Sequence, residues 1–226
     1  MPSNTDERKH TFMHILWIGG PPDAGKSTVA DLLGSWHGLP VYHFDRHEMA
    51  HIARADPIQQ PELHRLGAKL RDIGELAWVE EDWIRAEPDE MARRAIGMWT
   101  ERVGLAVEDL ATLPADRPVI AEGPGFFPEA LLPLLAHPRQ VIFLIPTEAF
   151  KLASHERRGK SHGRADHTSA PDRYRHNHIT RDLLMADHYR RFAHELGLRA
   201  ITIDGSQAAD EVATLVGQHF GLGAPQ

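Results

Sequence analysis

Ten residues, "GGPPDAGKST" from Gly19 to Thr28, hold the densest chemistry of the chain. The run Gly20-x-x-x-x-Gly25-Lys26-Ser27 has the spacing of a phosphate-binding loop. Glycines let a backbone close around phosphate oxygens, presenting amide donors and the positive end of the helix that follows. Lys26 is long enough to reach β- and γ-phosphates, the Ser27 hydroxyl is a magnesium ligand, and Thr28 is placed for the α-phosphate. Gly20, Asp23, Ala24 and Gly25 would form the cradle around the nucleotide. Asp23 is the odd member, a carboxylate in a loop built for anions. Asp tolerates a left-handed backbone better than most non-glycine residues, so the turn survives. Its side chain is expected to point away from the phosphates, toward ribose, base or solvent.

Acids stand at the ends of three apolar runs: Asp45 in "VYHFDRHEM", Glu122 in "VIAEGPGFFP" and Asp204 in "ITIDGS". Each alone has a plain alternative as a helix cap or turn carboxylate. A competing pattern, "HEMAH" from His47 to His51, fits the HExxH spacing that puts two histidines on one helical face for zinc. Its extended form asks for a glycine and a third histidine, where this chain has Arg54 and Pro57. Nothing singles out Glu75 or another acid as a third ligand, and zinc hydrolysis is set aside. His47 or His51 is expected to line an acceptor pocket or stand exposed, and His155, His162 and His167 read as solvated.

The elements that must position these residues follow from pattern. "TFMHILWIGG" is a short apolar run that suits a strand buried on both faces, and "LPVYHF", "RPVIAEG", "RQVIFLIP" and "LRAITIDG" are the further strand candidates. Helical segments separate them, including 26–36, stopped by Gly38, and 89–112 with an apolar face through Met91, Ala95, Met98, Val103, Val107 and Leu110. Alternation of this kind predicts a parallel sheet covered on both sides, with ligands at the carboxyl ends of its strands. Two connections exceed a simple crossover. The segment 46–117 is helical and contains Trp78, Trp83 and Trp99; 157–173 is polar, rich in Gly, Ser, His and Arg, and without an apolar period. Beyond it Arg173, Asn177 and Arg181 recur on one helical face, with a solvated face as the plain alternative for the first two.

Bulk composition narrows the classes. The chain has 226 residues, 42% hydrophobic and 25% charged, which allows one substantial core. A net charge of −7 speaks against nucleic acid or an anionic membrane as partner. With no cysteine, disulfides and thiolate chemistry are excluded. No apolar run is long enough to span a bilayer and the N-terminus is charged, so a cytoplasmic protein, monomer or homodimer, is expected.

The order of these motifs resembles the small P-loop kinases, the superfamily of nucleoside monophosphate kinases, shikimate and gluconate kinases, and chloramphenicol phosphotransferase. The resemblance runs over most of the chain: the loop at 20–28, Asp45, "EG" at Glu122–Gly123, Arg157 and Arg158, and "DGS" at 204–206. It implies an α/β fold, a P-loop NTPase three-layer sandwich of about five parallel strands, as a single domain over 1–226. A helical substrate-binding segment over 46–117 and a mobile lid over 157–173 would complete it. It also implies ATP or GTP with Mg2+, and transfer of the γ-phosphoryl group to a hydroxyl of a small molecule: a metabolite, natural product or antibiotic, or alternatively a nucleoside or its monophosphate. Asp45 would be the base, and Lys26, Arg157 and Arg158 would stabilise the charge of the moving phosphoryl group, with Arg164 a weaker lid candidate. Arg181 would touch phosphate, and Gly205 and Ser206 would lie near the base. Arg46, His47, Glu122 and Gly123 would join Asp45 at the acceptor. Glu122 either orients magnesium with Ser27 or serves the acceptor. The rival from another class is a nucleotide-dependent switch, which needs neither Asp45 nor an arginine-rich lid.

Overall fold

The computed structural model describes residues 9–158 and 165–223. Five parallel strands form the sheet: β1 (Ile15–Gly19), β2 (Val41–His43), β3 (Val119–Gly123), β4 (Val141–Pro146) and β5 (Ala200–Ile203). Their spatial order is β2-β3-β1-β4-β5. The chain thus reaches the far edge, returns beside β1, and then crosses to the other side. The phosphate loop leaves β1 where the winding reverses, the place at which such sheets open a ligand crevice.

Strand alternation deals side chains to two layers. Ile15, Trp17, Val119, Ala121, Val141, Phe143 and Ile145 face one core, while Leu16, Ile18, Ile120, Ile142 and Leu144 face the other. The second core is closed by α1 (Lys26–His37), through Val29, Ala30 and Leu33, and by Val212, Ala213 and Val216 of the C-terminal helix Ala209–Phe220. Between β2 and β3 come α2 (Glu48–Ala53), α3 (Pro61–Val79) and α4 (Pro88–Ala111). The first core is covered by α4 and by the long helix Pro171–Glu195, through Met185, Ala186, Tyr189 and Ala193.

The 46–117 segment is therefore helical and forms a cap. Its α3 breaks at Gly74, whose φ of 75° and ψ of 168° are readily reached only by glycine. A π-helical turn, Glu80–Arg85, follows directly. Numbering continues with α5 (Pro128–Leu131), α6 (Glu148–Arg158), α7 (Pro171–Glu195) and α8 (Ala209–Phe220). Among the described residues, no helix is long and apolar enough to cross a membrane.

Candidate functional site

Gly25 (φ 81°) and Asp23 (φ 66°) carry the loop through left-handed conformations, and Asp23 is the only non-glycine with positive φ among the described residues. Gly20 has no substitute: a Cβ there would lie 2.1 Å from the Leu144 carbonyl oxygen. The Lys26 ammonium donates to the Pro21 carbonyl at 2.9 Å, across the mouth of the loop. Ser27 and Thr28 stand exposed at the start of α1.

Glu122 ends β3 on the α1 side of the sheet, two residues beyond Ile120 and therefore on the same face. It is 2% exposed, accepts a hydrogen bond from Ser27 Oγ at 3.0 Å, and receives His43 Nδ1–H at 2.8 Å. The strand register pairs His43 with Glu122, and its other ring nitrogen lies 3.2 Å from Asp31. A hydroxyl and a carboxylate held together at the head of a phosphate loop are hard oxygen ligands of the kind magnesium takes. Gly123, expected at the acceptor, lies against Phe44: a Cβ would meet the Phe44 Cβ at 2.3 Å. Its smallness serves packing.

A cavity of about 610 Å³ opens beyond the loop, bounded by Pro22, Asp45, Pro124 and Arg181 below and by the cap above. Trp78, Trp83, Trp99, Met91, Met98 and Leu66 supply its apolar wall. Charged neighbours on the cap are matched in pairs: Arg65 with Glu62, Lys69 with Glu81 and Asp82, and Arg94 with Asp82 and Glu90. Arg181 is buried, pairs with Asp182, and stacks its guanidinium 4.4 Å above the Trp83 ring. Asp45 is exposed toward this space.

Arg173, Asn177 and Arg181 do share a face; Arg173 is exposed, while Asn177 and Arg181 are buried. Arg173 bonds Glu87 at 2.9 Å, and Asn177 donates to the carbonyls of Trp83 and Ala86. Together with Arg181 they fasten α7 to the π-helical turn of the cap. Tyr189, on the same helix, donates from its hydroxyl to the Pro124 carbonyl at 2.6 Å. Burial pushes its phenol well above the ordinary value, so it stays a donor.

Other expected residues fall elsewhere. Arg46 is exposed and His47 stacks on Tyr42 (ring centroids 4.4 Å apart), and neither lines the cavity. His155 is buried, not solvated, with its ring edge-on to His178; His167 is exposed and His162 lies outside the described residues. Arg157 is exposed above Phe150, whose ring also lies beside Gly205, so these three gather at one corner. Ser206 turns its N–H and hydroxyl onto its own Asp204. The side chain of Arg158 and all of Arg164 lie outside the described residues, as does the 159–164 part of the expected lid. The following segment packs on the cap: Ala165 and Tyr174 share a cluster with Val79 and Ile84, and Ser169 bonds Glu80.

Asp23 does not point to ribose, base or solvent. Its carboxylate is buried, 2.6 Å from Lys151 Nζ of α6. The left-handed backbone that a glycine would also adopt here turns the side chain inward, where a buried cation from 128 residues away receives it. No local signal marks Lys151; only its partner in the loop does.

His47, His51 and Asp109 offer three ligand atoms within 4.8 Å of one another, so the HExxH pair does converge on an acid. That acid is already taken. Asp109 accepts from His51 Nε2–H at 2.8 Å, from Tyr42 OH at 2.8 Å and from Arg54. Arg102, buried behind His51, donates to its Nδ1 at 3.4 Å and to the Phe44 carbonyl at 2.8 Å. Burial lowers the His51 pKa, which keeps the ring neutral. With two guanidinium groups against it, the cluster is a hydrogen-bonded brace between β2, α2 and α4.

No protein-family model and no curated protein matches the sequence. Solved structures do. TT1252 from Thermus thermophilus aligns over 94% of this chain and 99% of its own, with a TM-score of 0.50 and 20% identity. Shikimate kinase from Acinetobacter baumannii, in complex with shikimate, aligns over 93% and 95% with a TM-score of 0.45 and 19% identity. A kinase-like protein from Chloroflexus aurantiacus aligns over 92% and 99% with a TM-score of 0.41 and 15% identity. At such identities the likeness is one of fold. With strand order β2-β3-β1-β4-β5 and helices on both faces, the chain shares a parallel three-layer α/β fold with TT1252.

Proposed function

We propose that the chain is a kinase that moves the γ-phosphoryl group of ATP to a hydroxyl of a small molecule. One observation carries this reading: a single cavity is bounded by the phosphate loop at Pro22, by Asp45 at the end of β2, by Arg181, and by a cap of three tryptophans. A switch protein has no use for a cavity of that kind beside its nucleotide.

The loop amides and Lys26 would bind the phosphates. Ser27 with Glu122 would hold Mg2+, which neutralises charge on the β- and γ-phosphates when bound. Asp45 would accept the proton of the acceptor hydroxyl as its oxygen bonds to the γ-phosphorus. The bond from phosphorus to the β,γ-bridging oxygen breaks, and ADP leaves with that electron pair. Arg181, and Arg157 from the end of α6, would face the charge that spreads over the moving group. The apolar wall and the cap would keep water from the γ-phosphate. Since the cations of the cavity are each paired with an acid among the described residues, the site favours a hydroxyl on a ring-bearing or apolar body over a nucleoside monophosphate.

The test is incubation with Mg·ATP and a panel of metabolites, natural products and nucleosides, read as the mass gain of one phosphoryl group. Asp45→Asn should lower the rate by about 10²–10⁴-fold, the usual share of a general base. Transfer that survives unchanged in that variant would remove Asp45 from the reaction. Nucleotide-dependent binding of a partner protein without transfer would favour the switch.

A further inference from the structure

Four charges, none of them at the surface, join the phosphate loop to the cap. Asp23 is 6% exposed, Lys151 1%, Asp182 1% and Arg181 7%. Lys151 Nζ lies 2.6 Å from Asp23 Oδ2 and pairs with Asp182 through Oδ2. The other oxygen of Asp182, Oδ1, accepts from Arg181 Nε at 2.9 Å and Nη2 at 2.6 Å. Arg181 then lies over Trp83 and reaches the cavity that Asp45 and Pro22 also line. The signs alternate and sum to zero, which is what makes the burial tolerable.

The chain of contacts is directional. Asp182 divides its two oxygens, one for Lys151 and one for Arg181, so moving either cation disturbs the other. Burial would raise the Asp182 carboxyl, yet Arg181 and Lys151 hold it below the ordinary range and keep it ionised. At the loop end, Asp23 sits at φ 66°, three residues before Lys26.

We propose that Lys151 is a positioning residue that couples the phosphate loop to the cap: through Asp23 on one side and Asp182 on the other, it ties the stacking of Arg181 on Trp83 to the conformation of the loop. Nucleotide binding and the shape of the acceptor cavity are then linked. The inference rests on the reading of the loop as a nucleotide site.

Mg·ADP titrated into the full chain tests both. Heat of binding reports the loop, and tryptophan emission reports the cap, with the Trp83 share assigned by its loss in Trp83→Phe. The wild type should bind Mg·ADP with a change in Trp83 emission. Lys151→Met leaves two buried carboxylates facing each other and risks the fold, so the charge-balanced pair Asp23→Asn/Lys151→Met is measured beside it. That pair should remain folded by circular dichroism, bind Mg·ADP about tenfold more weakly, the scale on which a network change alters coupling, and lose the Trp83 change. Lys151→Arg should restore part of it. If the charge-balanced pair binds Mg·ADP within about twofold of wild type and keeps the Trp83 change, far less than such a coupling would produce, the inference is overturned while the kinase reading stands. A wild-type chain that binds no Mg·ADP overturns the nucleotide reading and this inference together.

Discussion

Two histidine–carboxylate clusters hang from the same short strand and face opposite tasks. At the phosphate loop, Glu122 takes a hydroxyl from Ser27 and a ring N–H from His43. Under the cap, Asp109 takes a hydroxyl from Tyr42 and a ring N–H from His51. The difference lies in the cations. Asp109 also pairs with Arg54, and Arg102 stands behind His51, whereas among the described residues the ion-pair partner of Glu122 is His43. An acid already matched by guanidinium has little attraction left for a metal; one matched by a hydroxyl and an imidazole retains it. The HExxH pattern thus becomes a brace, and Glu122 stays the candidate for a metal.

The largest effect that can break this comparison is expected on activity. Glu122→Gln keeps the shape and removes the charge, and should cost about 10–100-fold in magnesium-dependent nucleotide affinity or transfer, as for other residues that orient a metal's ligands. An unchanged magnesium requirement would place Glu122 with the acceptor.

A third pair sharpens the contrast. His178 lies 3.6 Å from Asp182, but burial pulls it down to about 3 against an ordinary 6.5. It is therefore neutral in the fold and protonated in the unfolded chain through that window. The unfolded state binds the extra proton, so stability falls as pH drops from about 6.5 toward 3, at about 1.4 kcal/mol per pH unit. Urea unfolding at stepped pH should show this slope, and His178→Phe should flatten it.

Asp109→Asn should cost about 1–3 kcal/mol, since Arg54 loses its counter-charge and His51 a charged acceptor in a half-buried site. Urea midpoints read this directly, and a cost near zero would mean the brace holds without its acid. The smallest effect belongs to His47, at the surface of that brace. His47→Ala should change stability by about 0.5 kcal/mol or less. Added Zn2+ should not raise the thermal midpoint of the wild type; a clear rise lost in His47→Ala would restore the metal reading.

Much of the fold was legible because its signals are local. Five apolar runs became the five strands, and the helix expected over 89–112 spans Pro88–Ala111. The phosphate loop was legible for the same reason: its glycines, Lys26 and Ser27 act through backbone and reach within a few residues. Residues whose role depends on a distant partner were harder. Arg46 and His47 adjoin Asp45 in sequence, yet the turn Phe44–His47 sends them away from the cavity. His155 and Lys151 sit in a polar helix with no mark of burial, and both are buried by α7.

The sequence by itself determined the parallel α/β layering, the phosphate loop between β1 and α1, and the acids at the strand ends, because apolar period, glycine and terminal position act over neighbouring residues. Only the tertiary structure decided where Asp23 points, which acid is left open to a metal, and which arginine overlooks the cavity. Those outcomes depend on pairing between charges far apart in the chain, as Asp23 with Lys151 and His51 with Asp109 show. A buried charge is defined by its counter-charge, and no local pattern records which one the fold will supply.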